Sequence, residues 1–444
     1  MRIISRDVSR APGPATGRAM LGVYRSLTWG LYAVLRLGHA LLPPMRSRLG
    51  PRLGLDGGAA RPGDMRAGPL IHFHAASVGE ISSLAPVVTE LRRRAPGYAV
   101  MITTMTRTGA RRAAEAVPGA RVGLLPFDLA PAIRRFLGVA RPEVLVIAET
   151  ELWPNLLEEA VRLGTRAVLV NGRVSSRTIG HYSRLRPLMA SVLSDFDLLL
   201  MRSEEDAARL LSLGADPADV EVAGNTKYDM LPGRAPLVER EKGRADLGIE
   251  PGRPVVMLGS AREGESEILL GALEAAGRGQ APAVIIAPRH LEVVARVEAA
   301  CRRYGYGVVL SAAGGSIPAG SPGSVIIVNE MGRLLHFYAL ADIAVLGGTF
   351  APRGGHNPLE PASQGAVVVA GPYRDNIKDD MQYLLSADAA VVTDEAGLAA
   401  AIGSLLAEPG RVEAMAGRAS SAVLARKGAA VRCVDAMMAR GIIT

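Results

Sequence analysis

Aromatic residues make up only 4% of the 444-residue chain, and there are two cysteines. So few aromatics argue against a surface that binds single-stranded nucleic acid by stacking its bases. Cys301 and Cys433 lie far apart, and neither has a second cysteine or a histidine at ligand spacing. A disulfide framework and a zinc site are thereby disfavoured, and two reduced, buried thiols are expected. The Gly-Lys-Ser/Thr ending of a P-loop is missing from the glycine-rich stretches, as is a dinucleotide fingerprint.

Lysine is missing from residues 1–66, where eleven arginines face only Asp7, Asp56 and Asp64. This segment supplies the whole formal net charge of +8. The basicity is therefore local, and the neutral remainder does not read as a nucleic-acid-binding body. Residues 1–20 are polar, with Pro12 and Pro14, and no regular structure is expected there. In Leu21 to Pro44 a helix would put Arg25, Thr28, Trp29, Tyr32, Arg36 and His39 on one side. Leu21, Leu27, Leu31, Val34, Leu35, Leu41 and Leu42 would cover the rest. A spanning helix wants about 20 uninterrupted apolar residues, and Arg36 and His39 interrupt this one. The pattern predicts a helix lying in the membrane interface or inserted partway, with flanking arginines held by an anionic membrane surface. A helix packed on the protein body is the alternative.

Hydrophobic residues are plentiful, at 49%, and the length exceeds one ordinary core, so two domains are expected. Leu70, Ile71 and Phe73 read as a short buried strand and Ala75 to Gly79 as a small-residue turn. Ile81, Leu84, Ala85, Val88 and Leu91 then recur at helical spacing. Glu80 falls where this helix begins, the place where ligands meet strand ends in an open α/β sheet. It can be a base, or simply a first-turn acid favoured by the helix dipole.

Strand, polar loop and helix repeat at 99–103, 121–125, 143–148, 167–170 and 198–201, which implies a parallel sheet covered on both faces. After a charged, Pro- and Gly-rich stretch the alternation restarts at 255–258, 284–287, 325–328 and 343–346. The expected organisation is a basic segment 1–66, a domain 67–230, a linker 231–250 and a domain 251–444. Both domains would be Rossmann-like, doubly wound parallel sheets facing a cleft.

The long loop Gly347 to Ala362 combines glycines with Asn357 before Pro358, which reads as an N-cap and first helical residue suited to phosphate. Glu360 could accept bonds from ribose hydroxyls, and Gly259 to Gly264 is a weaker cradle. Arg289, in Pro288-Arg289-His290, suits bidentate pairing with phosphate or carboxylate. Arg289 and Lys227 equally read as solvated surface charges. Asp195 and Asp197 have the spacing of a metal-binding pair but precede the apolar run 198–200, so they read as a strand start. No metal is expected.

Together these stretches resemble one family, the 3-deoxy-D-manno-octulosonic acid (Kdo) transferases of lipopolysaccharide synthesis. The resemblance runs in order through His74 to Glu80, Thr103 to Gly109, Pro126-Phe127-Asp128, Glu149 to Asn155, Lys227 to Asp229, Pro288 to His290, Met331-Gly332 and Gly354 to Glu360. It covers about residues 20–440. It implies an α/β glycosyltransferase of GT-B architecture, preceded by an N-terminal membrane-associated helix at the cytoplasmic face of the inner membrane. The first domain would bind a lipid A disaccharide precursor and the second the donor CMP-Kdo. By the family pattern Glu80 is the general base, while Glu149 and Lys227 stabilise the transition state. CMP would be held by Pro288, Arg289, Met331, Gly332, Arg333, Asn357, Pro358, Leu359 and Glu360. Transfer would invert the anomeric centre without metal or cofactor. Two departures stand out: Arg333 replaces a usual acidic residue, and Ala261-Arg262 a usual Thr-His pair. The alternatives are another nucleotide-sugar enzyme, such as a UDP-sugar transferase or epimerase, and a non-catalytic sugar-nucleotide-binding protein at the membrane.

Overall fold

The apolar runs form two all-parallel, seven-stranded sheets. The computed structural model describes residues 13–42, 46, 47, 49–55, 68–277, 282–318 and 323–444. The first sheet comprises β1 (Leu70–His74), β2 (Ala99–Thr104), β3 (Arg121–Leu124), β4 (Val144–Ala148), β5 (Arg166–Gly172), β6 (Leu198–Met201) and β7 (Val220–Val222). Its order is β3-β2-β1-β4-β5-β6-β7. The second comprises β8 (Val255–Ala261), β9 (Ala283–Pro288), β10 (Gly307–Leu310), β11 (Ser324–Ile327), β12 (Ile343–Leu346), β13 (Val367–Ala370) and β14 (Ala390–Val392). Its order is β10-β11-β9-β8-β12-β13-β14. In each sheet the winding reverses beside the first strand, between β1 and β4 and between β8 and β12. These are the switch points where following loops diverge and leave room for a ligand.

Because successive side chains on a strand point to opposite faces, a buried parallel strand is apolar throughout. On β4, Leu145 and Ile147 face one core while Val144, Val146 and Ala148 face the other. On β8, Val256 and Leu258 likewise oppose Val255 and Met257. Cys301 and Cys433 are buried free thiols, and burial raises them to about 11 and about 12.

The chain divides into two compact units, 1–230 with 427–444, and 231–426. The expectation that the second domain runs to 444 is thus corrected. The terminal helix Ala429–Ala439 puts Cys433, Val434 and Met437 into the core that holds Phe73, Ile81 and Leu84. Its first turn is fixed by Asp229, whose carboxylate accepts from Gly428 N at 2.5 Å and Ala430 N at 2.6 Å. The stretch expected as a linker also contains a helix of the second unit, Leu237–Asp246. Arg240 and Arg244 anchor it to Asp342.

The N-terminal helix spans Ala15–Leu41, beginning earlier than the expected 21 and taking in part of the stretch expected to lack structure. Residues 1–12, 43–45, 48 and 56–67 of the basic segment lie outside the described residues. The helix lies close against helix Arg186–Leu193: a Cβ at Gly17 would stand 1.9 Å from Pro187 O. Part of its polar side faces inward, while Trp29 and Arg36 are exposed. Tyr24 donates to Asp128 Oδ2 at 3.0 Å, Arg25 pairs with Glu158 and Glu159 at 2.9 and 2.5 Å, and Thr28 meets Asn155 at 3.3 Å. Arg25 is therefore bound to carboxylates of the body. Val23, Leu27, Leu31, Val34, Leu37 and Leu41 point outward, each more than half exposed. No described helix is long and apolar enough to cross a membrane.

Candidate active site

In the first unit the loops after β1 and β4 flank the switch point. After β1, Ser77 caps helix Val78–Arg94, accepting from Glu80 N at 3.3 Å. The Glu80 carboxylate folds back, accepting from Ser77 Oγ and from Ala76 N, each at 2.7 Å. This is a capping box with a partly buried acid at its head. Burial raises the Glu80 carboxyl above the ordinary glutamate range, against the hydrogen bonds from Ser77 and Ala76, and the neighbouring Glu149 adds to the rise.

Glu149 follows β4 in a left-handed conformation, φ 54°, costly for a residue with a Cβ. Asn171, ending β5, shares that conformation at φ 57°. Strain of this kind persists where the surroundings over-determine it. Here Glu149 N donates to Val170 O at 2.9 Å, and Asn171 Oδ1 accepts from Thr226 N at 3.1 Å. The second bond matters because β7 ends at the sheet edge, far from β4. Ala223 N and Gly224 N bond Met201 O as the chain returns across β6, and Asn171 then receives it. Lys227 thereby arrives with Nζ 2.6 Å from Glu149 Oε1. Glu151 stands in the same loop. Burial, then the charge of Glu80, raises its carboxyl to about 7. Glu80, Glu149 and Lys227 are thus brought together, with Glu151 as a fourth, titratable near neutrality.

Two of the family-like runs have structural parts. Asp128 accepts from Asn155 N at 3.1 Å and Leu156 N at 2.9 Å, so it serves helix Pro154–Arg162 as a remote N-terminal cap. Asp197, just before β6, likewise accepts from Ala167 N at 2.8 Å and pairs with Arg166 at 2.9 Å. Among the described residues no cluster of three His, Cys, Asp or Glu side chains could hold a metal ion.

In the second unit, Pro288 and Arg289 follow β9, Met331 to Arg333 follow β11, and Asn357 to Glu360 lie in the loop after β12. With β8 these are four neighbouring strands, so the expected residues leave one end of one sheet. Arg289, Met331, Gly332, Arg333 and Asn357 are exposed, whereas Pro358 and Leu359 are buried. The expected helix start needs correction: the helix is Leu359–Ser363, five residues, too short for an appreciable dipole. Asn357 Oδ1 still accepts from Leu359 N at 3.0 Å, and its amide donates to Glu360 Oε1 at 3.2 Å. Burial raises the Glu360 carboxyl, opposed by Asn357 and by the charge of Arg289.

Glu265 was not expected. It is 2% exposed, and its carboxylate accepts from Gly348 N and Arg262 N at 2.8 Å, Phe350 N at 3.0 Å and Ala351 N at 3.1 Å. One buried charge thus ties the loop after β8 to the loop after β12. The only sequence signal was an acid three residues after Arg262 at a helix start. The two loops also touch through backbone, since a Cβ on Gly347 would lie 2.3 Å from Ser260 O.

Two parallel sheets of this order, with their polar residues at the strand ends beside the switch points, form a two-unit, doubly wound α/β fold. The fold is shared with a glycosyltransferase from Rickettsia africae, at 10% identity, TM-score 0.56, covering 84% of this chain and 98% of that one. It is shared equally with a UDP-GlcNAc 2-epimerase from Neisseria meningitidis, at 14% identity, TM-score 0.56, over 83% and 100%. The family is then given by sequence. The model of the 3-deoxy-D-manno-octulosonic-acid transferases (kdotransferases) matches residues 47–230. The Bordetella pertussis 3-deoxy-D-manno-octulosonic acid transferase is 32% identical over 92% of both chains. That of Chlamydia pneumoniae is 31% identical over 84% of this chain and 81% of its own. The chain belongs to the Kdo transferase family and is a glycosyltransferase.

Proposed function

We propose that this chain moves Kdo from CMP-Kdo to a lipid A disaccharide precursor, with inversion, in lipopolysaccharide core synthesis. The observation that carries the reading is the meeting of Glu80, Glu149 and Lys227 at the switch point of the first sheet. Glu80 takes the proton of the acceptor hydroxyl as that oxygen bonds to the anomeric carbon. The bond from that carbon to phosphate breaks, and its electron pair leaves with CMP. Glu149 faces the positive charge that develops at the sugar, and Lys227 fixes Glu149 in place. Pro288, Arg289, Met331 to Arg333 and Asn357 to Glu360 hold CMP, with Arg289 as the phosphate partner. On this reading positive side chains neutralise the leaving group, and no metal takes part. The test is transfer from CMP-Kdo to a tetraacyl lipid A precursor in EDTA, with products resolved by mass. Added Kdo units are expected; no product from folded protein that still binds CMP would overturn the acceptor.

We also propose that the N-terminal helix lies on the anionic inner surface of the bilayer that contains the acceptor. Its support is the outward row Val23, Leu27, Leu31, Val34, Leu37 and Leu41, with Tyr24, Arg25 and Thr28 turned to the protein. Apolar side chains gain by entering the acyl boundary, and nearby arginines gain from anionic lipid. Replacing Leu27, Leu31 and Val34 together by Gln should abolish cosedimentation with anionic vesicles. Undiminished binding would remove the helix as anchor.

A further inference from the structure

Arg262 stands at the second switch point, where its side chain joins three loops. Nε donates to His356 Nε2 at 3.3 Å and Nη1 to His290 Nε2 at 3.1 Å. In both bonds the guanidinium donates to an imidazole nitrogen, so it is oriented without a carboxylate partner. Burial and the charge of Arg262 lower His356 to about 4, which keeps it an acceptor at neutral pH. Among the described residues neither Arg262 nor Arg289 has a carboxylate within ion-pair distance. A guanidinium has five N–H donors in a rigid fork; with Nε and one N–H of Nη1 engaged by the two histidines, the other N–H of Nη1 and both of Nη2 remain for a planar anion.

Two such cations now serve one strand-end crevice, Arg262 after β8 and Arg289 after β9. They differ in what they face. The charge of Arg289 reaches Glu360 as well as His356, whereas that of Arg262 is felt at His356. Arg289 therefore lies nearer the Glu360 carboxylate than Arg262 does. A nucleoside monophosphate sugar whose sugar is a 2-keto acid has two anions on one carbon, the linking phosphate and a carboxylate. Two guanidinium groups on adjacent strand ends suit that pair of anions.

We propose that Arg262 reads the carboxylate of the sugar-acid donor, that His290 and His356 are the positioning residues that hold its fork, and that Arg289 is left to the phosphate. This rests on the second unit being the CMP-Kdo site. Isothermal titration of the full-length protein in detergent, without acceptor, tests it with two ligands, CMP and CMP-Kdo. Unaltered protein should bind CMP-Kdo more tightly than CMP. Arg262→Gln should weaken CMP-Kdo about 10- to 100-fold, the worth of a charge-assisted bidentate pair, with CMP unchanged within about twofold. His356→Phe should reproduce that selective loss, and His356→Gln, which keeps an acceptor, should restore most of the affinity. Equal weakening of both ligands would place Arg262 on the phosphate and overturn the assignment. So would an unaltered protein that does not prefer CMP-Kdo, or an Arg262→Gln variant that binds it normally. An unaltered protein that binds neither ligand would bring down the donor reading itself.

Discussion

Lys227 Nζ lies 2.6 Å from Glu149 Oε1, although Lys227 follows an edge strand and Glu149 a central one. Glu149 is mostly buried, and that ammonium is its ion-pair partner. Lys227→Met should lower kcat by about 100-fold or more, and Glu149→Gln comparably. If the two act as one unit, the double variant should be little worse than either single one, with a coupling of about 1–3 kcal/mol. Additive losses would show that the residues act separately.

The pH–rate profile should carry the signature of a desolvated base. Glu80 must be ionised to accept a proton, and its carboxyl is raised by burial and by Glu149. The rate should therefore rise with pH through a limb above the ordinary glutamate range. Glu151, raised to about 7, gains its negative charge over the same region and makes ionisation of Glu80 harder. Glu151→Gln should move the acid limb of kcat/KM to lower pH. A limb that does not move would separate Glu151 from the base.

Acid stability should be limited by two buried histidines of β1. His72 and His74 share Thr103 Oγ1 at 2.7 and 3.0 Å, and burial lowers them to about 3 and about 4. Unfolded, each would take a proton near pH 6.5; folded, neither does until far lower. Stability is thus lost as pH falls below about 6.5, by about 1.4 kcal/mol per pH unit for each histidine. The urea midpoint between pH 7 and 5 measures this. Replacement of His72 by a residue that does not titrate should flatten the dependence even if it lowers stability at pH 7.

Glu265→Gln should disorganise the donor loops. An amide can neither match the carboxylate's charge nor accept at both ends, so one or more buried N–H groups would lose their partner, at about 2–4 kcal/mol. CMP affinity should fall together with thermal stability, whereas Arg262→Gln should leave both nearly intact. Calorimetric melting and CMP titration of the same two proteins would distinguish these outcomes.

Much of this was legible in the sequence where the signal was local. The apolar runs at Leu198–Met201 and Ile343–Leu346 are strands at their expected limits, because buried parallel strands are apolar on both faces. Glu80 could be placed at a helix start from the spacing of Ile81, Leu84 and Val88 alone. What stayed hidden depended on partners remote in the chain. Arg25 read only as part of a basic stripe, and nothing local announced its partners Glu158 and Glu159. Glu265 looked like any first-turn acid, since nothing near it announces the four amides it accepts. The terminal helix carries no mark of which sheet it covers, and the charged stretch before β8 concealed a helix whose anchor, Asp342, is about 100 residues away. The short strands β7, β10, β13 and β14 escaped because edge and near-edge strands of three or four residues give too little periodicity to read.

The return of Ala429–Ala439 to the first core has a consequence during synthesis. Nascent chains leave the ribosome at about 5–20 residues per second and usually fold from the amino end. Here the contiguous 231–426 unit can close as soon as it emerges, while the earlier-made sheet waits with one face only partly covered until Val434, Met437, Ile442 and Ile443 arrive. A nascent chain arrested before residue 427 should therefore hold a finished second unit and an unfinished first one, an order of completion opposite to the order of translation.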